Sequence, residues 1–138
     1  MNRIDLQSLA ELRIREAKLL LESGLYNGAY YLAGYSVECA LKACVAKKTK
    51  QHDFPDKTLV QRLFTHDLQL LLLKAGLETE LSEEMKNNRM LEQNWTIVKG
   101  WSEEARYETA DLIHYAEDLF SAIMDPDDGV LTWLKKRW

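Results

Sequence analysis

The stretch YNGAYYLAGYSVECALKACVA, residues 26–46, decides the fold of this chain of 138 residues. Nearly every residue in it is apolar or small, and Glu38 and Lys42 are its only charged side chains. A helix that is apolar on every side must be surrounded by other helices. The stretch therefore predicts a helix over residues 26–48 at the centre of a helical bundle.

Helical signals also flank this central helix. Apolar residues recur every three or four positions from Ile4 to Glu22, the stripe of an amphipathic helix, and Gly24 supplies the left-handed residue that ends it. Residues 49–64 form the one long connection, which contains Pro55. A short helix is then predicted to begin at the capping residue Thr65.

The last third of the chain is predicted to hold two longer helices and a short tail. One helix is expected to begin at Ser82 and to run through the tryptophan and valine near residue 98, and another to span Thr109–Met124. No hairpin signal or alternating strand pattern occurs. The predicted fold class is all-α, a single domain over residues 1–138 built as an up-and-down bundle of four main helices plus a short extra helix.

Composition and short motifs exclude several classes of protein. A net charge of −4 argues against indiscriminate binding of nucleic acid through a wholly basic surface. The longest aliphatic run, Leu70 to Leu73, is far shorter than the ~20 residues of a membrane span, and no signal-peptide pattern opens the chain, so a cytoplasmic protein is expected. The three histidines are scattered, and neither HExxH, CxxC nor a glycine-rich phosphate loop occurs, so we predict no metal and no cofactor.

Three segments have both a structural and a binding interpretation. Glu38 precedes Lys42 by four residues, the favourable order for an intrahelical ion pair, but Lys42 could instead point into a groove and bind phosphate. His66 stands at a helix start, where it is a capping or core residue or a binding one. The tail WLKKRW, residues 133–138, docks on the bundle or binds a nucleic-acid strand through its interleaved aromatic and basic residues.

The segment WSEEARYETADLIH, residues 101–114, carries the residue types that cleavage of a phosphodiester requires. A guanidinium such as that of Arg106 stabilises charge on phosphate, and an imidazole such as that of His114 transfers a proton. Tyr107 directly follows the arginine. This segment is either an active site, a degraded active site or simply the start of a helix.

The sequence resembles the HEPN domains (higher eukaryotes and prokaryotes nucleotide-binding) in three runs: LRIREAKLLLESGLYNGAYYLAGYSVECALKA, THDLQLLLL and WTIVKGWSEEARYE. The resemblance covers about Leu9 to Ile123 and is most specific at VECALKA in the central helix. It implies a bundle of four main helices that pairs as a homodimer. Many HEPN domains are encoded beside a minimal nucleotidyltransferase, and many are ribonucleases of toxin–antitoxin or defence systems.

The resemblance assigns the functional residues of the family to positions of this sequence only in part. Ribonucleases of the family use an arginine, four to six residues and then a histidine; Arg106 takes the arginine position, but seven residues separate it from His114. On a regular helix, eight steps leave two side chains about 80° apart in rotation. In some members a tyrosine close after the histidine receives nucleotidyl groups, and Tyr115 directly follows His114.

The sequence thus predicts a HEPN protein that binds nucleotide or RNA, with Lys42, His66, Tyr107 and Tyr115 as binding residues, and that acts with a minimal nucleotidyltransferase in a toxin–antitoxin or defence-type system. One alternative is an active, metal-independent ribonuclease toxin that uses Arg106 and His114 across a dimer cleft. The other is a purely structural helical dimer. A homodimer is expected because the central helix offers more apolar surface than one small bundle easily covers, and the sequence leaves open whether the protein is an enzyme.

Overall fold

The computed structural model describes residues 1–52 and 63–138, with residues 50–52 described by their backbone alone. This part of the chain holds α-helices, one 3-10 turn and no β-strand. The helices are α1 Arg3–Glu22, α2 Tyr26–His52, α3 Leu68–Lys74, α4 Glu78–Asn87, α5 Arg89–Lys99, α6 Ile113–Met124 and α7 Val130–Lys135, and the 3-10 turn spans Glu103–Tyr107. The predicted all-α helical bundle is confirmed.

The central position predicted for α2 is also confirmed. It packs against α1, α3, α6, α7 and the 3-10 turn, and its apolar residues from Val37 to Ala46 are buried. The chain's own helices therefore cover this stretch of α2, while Tyr30, Tyr31 and Tyr35 stay partly exposed, and the expected homodimer stays a prediction. The helix continues to His52, past its predicted end at Lys48, and most of the predicted 49–64 connection, with Pro55 in it, lies outside the described residues.

Helices α1 and α2 form an antiparallel pair joined by a tight connection. Gly24 has φ +78°, the left-handed conformation predicted for the end of α1. The buried face of α1 comprises Leu6, Ala10, Ile14 and Ala17. Ser36 of α2 donates a hydrogen bond of 2.7 Å to the carbonyl of Ala10, so a buried hydroxyl links the two helices.

Two predicted helix starts, at Ser82 and Thr65, are wrong. The segment predicted as one helix from Ser82 is two helices: α4 begins at Glu78, and Asn88 adopts an extended backbone conformation and accepts a 3.1 Å hydrogen bond from the Leu91 N–H, which starts α5. Thr65 is not the cap of α3. Asp67 accepts the 3.0 Å hydrogen bond from Leu70 N–H instead.

Helix α6 begins at Ile113 rather than at the predicted Thr109. The Asn27 side chain explains the difference, because its amide donates to the carbonyls of Glu108 and Ala110, at 3.0 and 2.8 Å, and its oxygen accepts from Leu112 N–H at 3.0 Å. These three bonds hold residues 108–112 in a non-helical conformation. We call this arrangement the Asn27 clamp.

The C-terminal tail docks on the bundle. Trp133 is buried and its indole N–H donates a 2.6 Å hydrogen bond to Glu84. The Arg137 guanidinium lies 3.6 Å from the centre of the Trp133 ring and pairs with Glu80 and Glu84. This basic side chain is thus committed to carboxylates of α4, which supports docking over strand binding for the tail. Among the described helices, none is both long and apolar enough to cross a bilayer.

Candidate functional site

The segment that carries Arg106 is anchored on α2 by Trp101. The Trp101 side chain is buried over Gly34, where a Cβ atom would lie 2.2 Å from the indole ring, and it stacks on Tyr31 with ring centres 6.2 Å apart. Only glycine leaves room for the ring at this position. The tryptophan thereby fixes the start of the 3-10 turn against the central helix.

Arg106 projects from that turn into solvent. Ser102 starts the turn by accepting a 3.2 Å hydrogen bond from Glu104 N–H. The Arg106 guanidinium lies 4.9 Å from the centre of the Tyr107 ring. Tyr107 raises the pKa of Arg106 most, and the hydroxyl of Tyr31 adds to the effect. The result is a permanently charged group, held beside two tyrosines and accessible to an anion.

His114 lies in the first turn of α6 and is exposed. The Asn27 clamp separates it from the 3-10 turn, so the two candidate catalytic residues belong to different elements rather than to one helix. Within residues 1–52 and 63–138, no hydrogen bond or ion pair joins Arg106 to His114. Within these residues the two side chains are therefore not joined by a polar contact.

Tyr115 lines a different feature, an open cleft of ≈ 410 Å³. Tyr30, Leu112, Glu104 and Glu108 also line it. Burial raises the pKa of Tyr30, and the neighbouring Tyr115 raises it further. Because two carboxylates line the cleft, it disfavours a phosphate, although the exposed Tyr115 hydroxyl remains accessible to another protein.

A third feature is a buried carboxylate with two partners. Glu38 is 1% exposed, and its Oε2 accepts a 3.0 Å hydrogen bond from Lys42 Nζ. Its Oε1 lies 3.0 Å from His66 Nδ1, in the segment before α3. The predicted Glu38–Lys42 pair is therefore present, and His66 is neither a cap nor a core residue: 49% of its side chain is exposed and its Nε2 is left for another partner.

Comparison with known families shows the family to which this chain belongs. The family model of the HEPN domain matches residues 5–125, which include all but the first two residues of α1, the helices α2 to α6 and all three features described above. This chain belongs to the HEPN family. No significant match was found among curated proteins or among solved structures.

Sequence reasoning missed part of the surface of this HEPN domain. Tyr31, Tyr35, Glu38 and Lys42 follow one another along a single face of α2, and the Arg13 guanidinium of α1 lies 6.0 Å from the centre of the Tyr35 ring. The sequence signal was available, because spacings of four, three and four residues place side chains on the same side of a helix. In an otherwise apolar helix, such a row of polar and aromatic residues is unusual.

The buried thiols of the HEPN domain do not add reactive groups. Burial raises the pKa of both Cys39 and Cys44 to about 12, and the neighbouring Glu38 carboxylate adds to the rise at Cys39. Thiols with such pKa values stay protonated and inert near neutral pH. In the part of the chain that the structure describes, no group of three or more potential ligands is arranged to hold a metal ion.

Proposed function

We propose that this HEPN protein binds the phosphate of a nucleotide or RNA at Arg106 and acts with a minimal nucleotidyltransferase in a cytoplasmic toxin–antitoxin or defence-type system. One observation carries the proposal: an exposed guanidinium stands beside the Tyr107 ring and the Tyr31 hydroxyl, on a turn fixed to the central helix by Trp101.

The chemistry of this arrangement favours a phosphate ligand with an attached base. Arginine presents a planar fork of donors that binds two phosphate oxygens at once. An exposed aromatic ring such as that of Tyr107 offers a surface on which a base stacks. The surrounding acids Glu103, Glu104 and Glu108 repel polyanions at long range, so recognition has to come from close contacts at Arg106.

We favour binding over cleavage because Arg106 and His114 lie on different elements of the chain. A general acid or base must come within hydrogen-bonding reach of the proton it transfers. The Asn27 clamp puts His114 at the start of a helix that is separate from the turn that carries Arg106, and no hydrogen bond joins the two side chains within the described residues. The ribonuclease alternative requires that two copies of the chain bring Arg106 and His114 together across a dimer cleft, and the third alternative is a purely structural dimer.

The proposed partner enzyme rests on the resemblance to HEPN domains that are encoded beside nucleotidyltransferases. An exposed tyrosine hydroxyl is what such an enzyme needs as an acceptor, and 67% of Tyr115 is exposed. Its position next to His114 matches the tyrosine that accepts nucleotidyl groups in some family members.

The test compares Arg106→Ala with Arg89→Ala, which removes an equally charged, exposed arginine from the start of α5. Binding of labelled RNA and of nucleotides is measured by fluorescence anisotropy, and folding by the melting temperature. We expect Arg106→Ala to weaken binding roughly tenfold or more, because a charged hydrogen bond is lost, with an unchanged melting temperature. Arg89→Ala should match the wild type. Wild-type affinity in Arg106→Ala, or a lowered melting temperature with intact binding, would show that Arg106 is structural.

A cleavage assay on the same proteins separates the alternatives. Wild-type protein is incubated with bulk RNA in the presence of a metal chelator, beside Arg106→Ala and His114→Ala. The proposal expects no cleavage by any of the three. Cleavage by the wild type that both variants lose would establish the ribonuclease alternative. Absence of both binding and cleavage in the wild type would favour the structural dimer.

A further inference from the structure

The cleft beside Tyr115 combines aromatic rings with carboxylates. Tyr30 of α2 and Tyr115 of α6 contribute the rings, and Glu104 and Glu108 contribute the carboxylates. Among the described residues that line this cleft of ≈ 410 Å³, none is an arginine, a lysine or a histidine. Because the face of an aromatic ring and a carboxylate both attract positive charge, the lining is complementary to an organic cation.

The two carboxylates of the cleft have no cationic partner within residues 1–52 and 63–138. Glu108 uses Oε1 to accept a 2.9 Å hydrogen bond from the Ala110 N–H, and no described side chain binds the carboxylate of Glu104. Arg106, the arginine of the same turn, lies over the Tyr107 ring rather than pairing with either acid. The negative charge of the cleft is therefore left for a ligand.

The surface around the cleft is acidic as well. Residues 103–118 contain six carboxylates and one arginine, a formal charge of −5, and counting the neighbouring Lys99 makes it −4. Glu117 and Asp118 are exposed on α6 and lie outside the lining of the cleft. A negative field that extends beyond the cleft attracts a polycation more strongly than a single small cation. Charge complementarity thus points to a basic segment of another protein.

The chain itself fills one arrangement that has the same side-chain types. The Arg137 guanidinium lies 3.6 Å from the centre of the Trp133 ring and pairs with the carboxylates of Glu80 and Glu84. These two acids are four residues apart in sequence, as are the two acids of the cleft. A guanidinium suits such surroundings because its flat face stacks on a ring while its N–H groups donate to carboxylate oxygens. Arginine is therefore the cation that we expect in the cleft.

The lining of the cleft is held in place without a ligand. The Asn27 clamp fixes residues 108–112, two of which line the cleft. Trp101, buried against Gly34, anchors the start of the turn that carries Glu104. Binding to a site that is already ordered loses little conformational entropy on the side of the site, which favours affinity.

We propose that this cleft binds an arginine side chain on a basic segment of another protein. The guanidinium stacks on the Tyr115 ring and donates hydrogen bonds to Glu104 and Glu108. The inference goes beyond the proposed function, because it requires neither a phosphate at Arg106 nor a nucleotidyl group on the tyrosine.

The experiment measures the affinity of the full-length protein for a labelled hexapeptide of alternating glycine and arginine by fluorescence anisotropy. A reference peptide carries citrulline, the uncharged analogue of arginine, at each arginine position, and agmatine serves as a free guanidinium. Glu104→Gln tests the acids, with Glu92→Gln, an exposed acid on α5, as its control. Tyr115→Leu tests the ring, with Tyr115→Phe as its control, and the melting temperature of each variant checks folding.

We expect the arginine peptide to bind about tenfold or more tightly than either the citrulline peptide or agmatine. Glu104→Gln should weaken its binding roughly tenfold, because a charged hydrogen bond is lost. Tyr115→Leu should weaken it about threefold to fivefold, whereas Tyr115→Phe, which keeps the ring, and Glu92→Gln should stay within about twofold of the wild type. Arg106→Ala should bind the peptide at least as tightly as the wild type, because it removes a like charge.

Four outcomes overturn the inference. Equal affinity for the arginine and citrulline peptides would show that the charge is not recognised. Agmatine that binds as tightly as the peptide would make the ligand a small cation rather than a protein. No peptide binding, or wild-type affinity in both Glu104→Gln and Tyr115→Leu, would remove the cleft as the site. Weaker peptide binding in Arg106→Ala would place the peptide on the 3-10 turn instead.

These outcomes are distinguishable from a failure of the proposed function. None of the first three affects nucleotide or RNA binding at Arg106, which is measured on the same proteins. A wild type that binds the arginine peptide but neither nucleotide nor RNA would overturn the proposed function and leave the cleft as a protein-binding site.

Discussion

Gly34 is the residue on which the position of the candidate site depends. It lies in the middle of a 27-residue helix, where glycine costs helix stability, and its missing side chain is replaced by the Trp101 ring. Trp101 in turn stacks on Tyr31 and holds the start of the 3-10 turn. A locally unfavourable residue therefore makes the tertiary contact that places Arg106.

Substituting Gly34 with alanine tests this dependence. The new methyl group would lie 2.2 Å from atoms of the buried Trp101 ring, so the ring must move. We expect a loss of roughly 1–3 kcal/mol in the free energy of unfolding, measured by urea denaturation, with weaker ligand binding at Arg106. Gly28→Ala is the control, because its nearest neighbour is the end of the flexible Leu20 side chain at 3.2 Å. Equal stabilities for both variants would contradict the proposed packing.

Glu38 is a residue whose buried surroundings could be predicted from the sequence only in part. The spacing of Glu38 and Lys42 predicted their pair, since four residues is one helical turn. The approach of His66, 28 residues along the chain, depends on how α3 packs on α2 and has no local signal. Burying a carboxylate is costly unless its lone pairs are satisfied, so the second partner explains why the charge is tolerated.

At the scale of elements, periodicity predicted the helices, and the ends at Gly24 and Met124 were predicted too, whereas the breaks at Asn88 and before Ile113 were not. Apolar spacing located α1, α2 and the last long helix, because the core-facing stripe is a property of the sequence itself. The breaks at Asn88 and before Ile113 depend on side chains that are distant in sequence: Asn88 also donates a 2.7 Å hydrogen bond to Asp128, and Asn27 binds residues 108–112. The unpredicted breaks affected the prediction of the candidate site most, because one of them lies between Arg106 and His114.

Removing the Asn27 clamp should loosen the link between the 3-10 turn and α6. Asn27→Ala deletes three hydrogen bonds to backbone groups, and we expect it to lower the free energy of unfolding by about 1–3 kcal/mol. Hydrogen exchange should accelerate at the Leu112 amide in particular. Asn87→Ala, at the exposed end of α4, serves as the control and should change stability by less than about 0.5 kcal/mol. Unchanged exchange at Leu112 would mean that the clamp does not hold the segment.

The turn between α6 and α7 provides a pH-dependent test of the helix arrangement. The backbone N–H groups of Asp128 and Asp127, each 2.9 Å from Asp125 Oδ1, lower the pKa of Asp125. A carboxyl group whose pKa is lower in the folded state than in the unfolded state stabilises the protein at pH values above its unfolded-state pKa, near 3.9. This stabilisation disappears as the pH falls through the folded-state pKa of the group.

Asp125→Asn should therefore be less stable than the wild type by a constant amount between about pH 5 and 8, and the difference should shrink below about pH 4. Urea denaturation at a series of pH values measures both proteins. Asp118→Asn, an exposed carboxylate on α6, is the comparison variant. A difference between wild type and Asp125→Asn that persists unchanged at acidic pH would show that the charge is not what stabilises the turn.

At the scale of the whole molecule, α1 carries an exposed apolar face in the part of the chain that the structure describes. Ile4, Leu12 and Leu19 are 65%, 41% and 66% exposed. Spacings of eight and seven residues put them within about 80° of one another on the side away from the buried stripe of α1. We propose that this face pairs with the same face of a second copy, which gives the two-fold arrangement usual for a homodimer.

Sedimentation equilibrium at micromolar concentration tests this arrangement. The wild type should sediment at twice the chain mass of 16.0 kDa. The double variant Leu12→Glu with Leu19→Glu should sediment at the mass of one chain, because two carboxylates on each α1 would face the same carboxylates of the second copy across an apolar contact. The matched control places the same charges on α5, at Met90 and Ile97, which are 47% and 41% exposed. This control should remain dimeric. A wild type that sediments as a monomer would contradict the proposed homodimer. Dissociation of the α5 variant alone would place the interface on α5. The surface on which two Arg106 side chains could approach each other would then lie there as well.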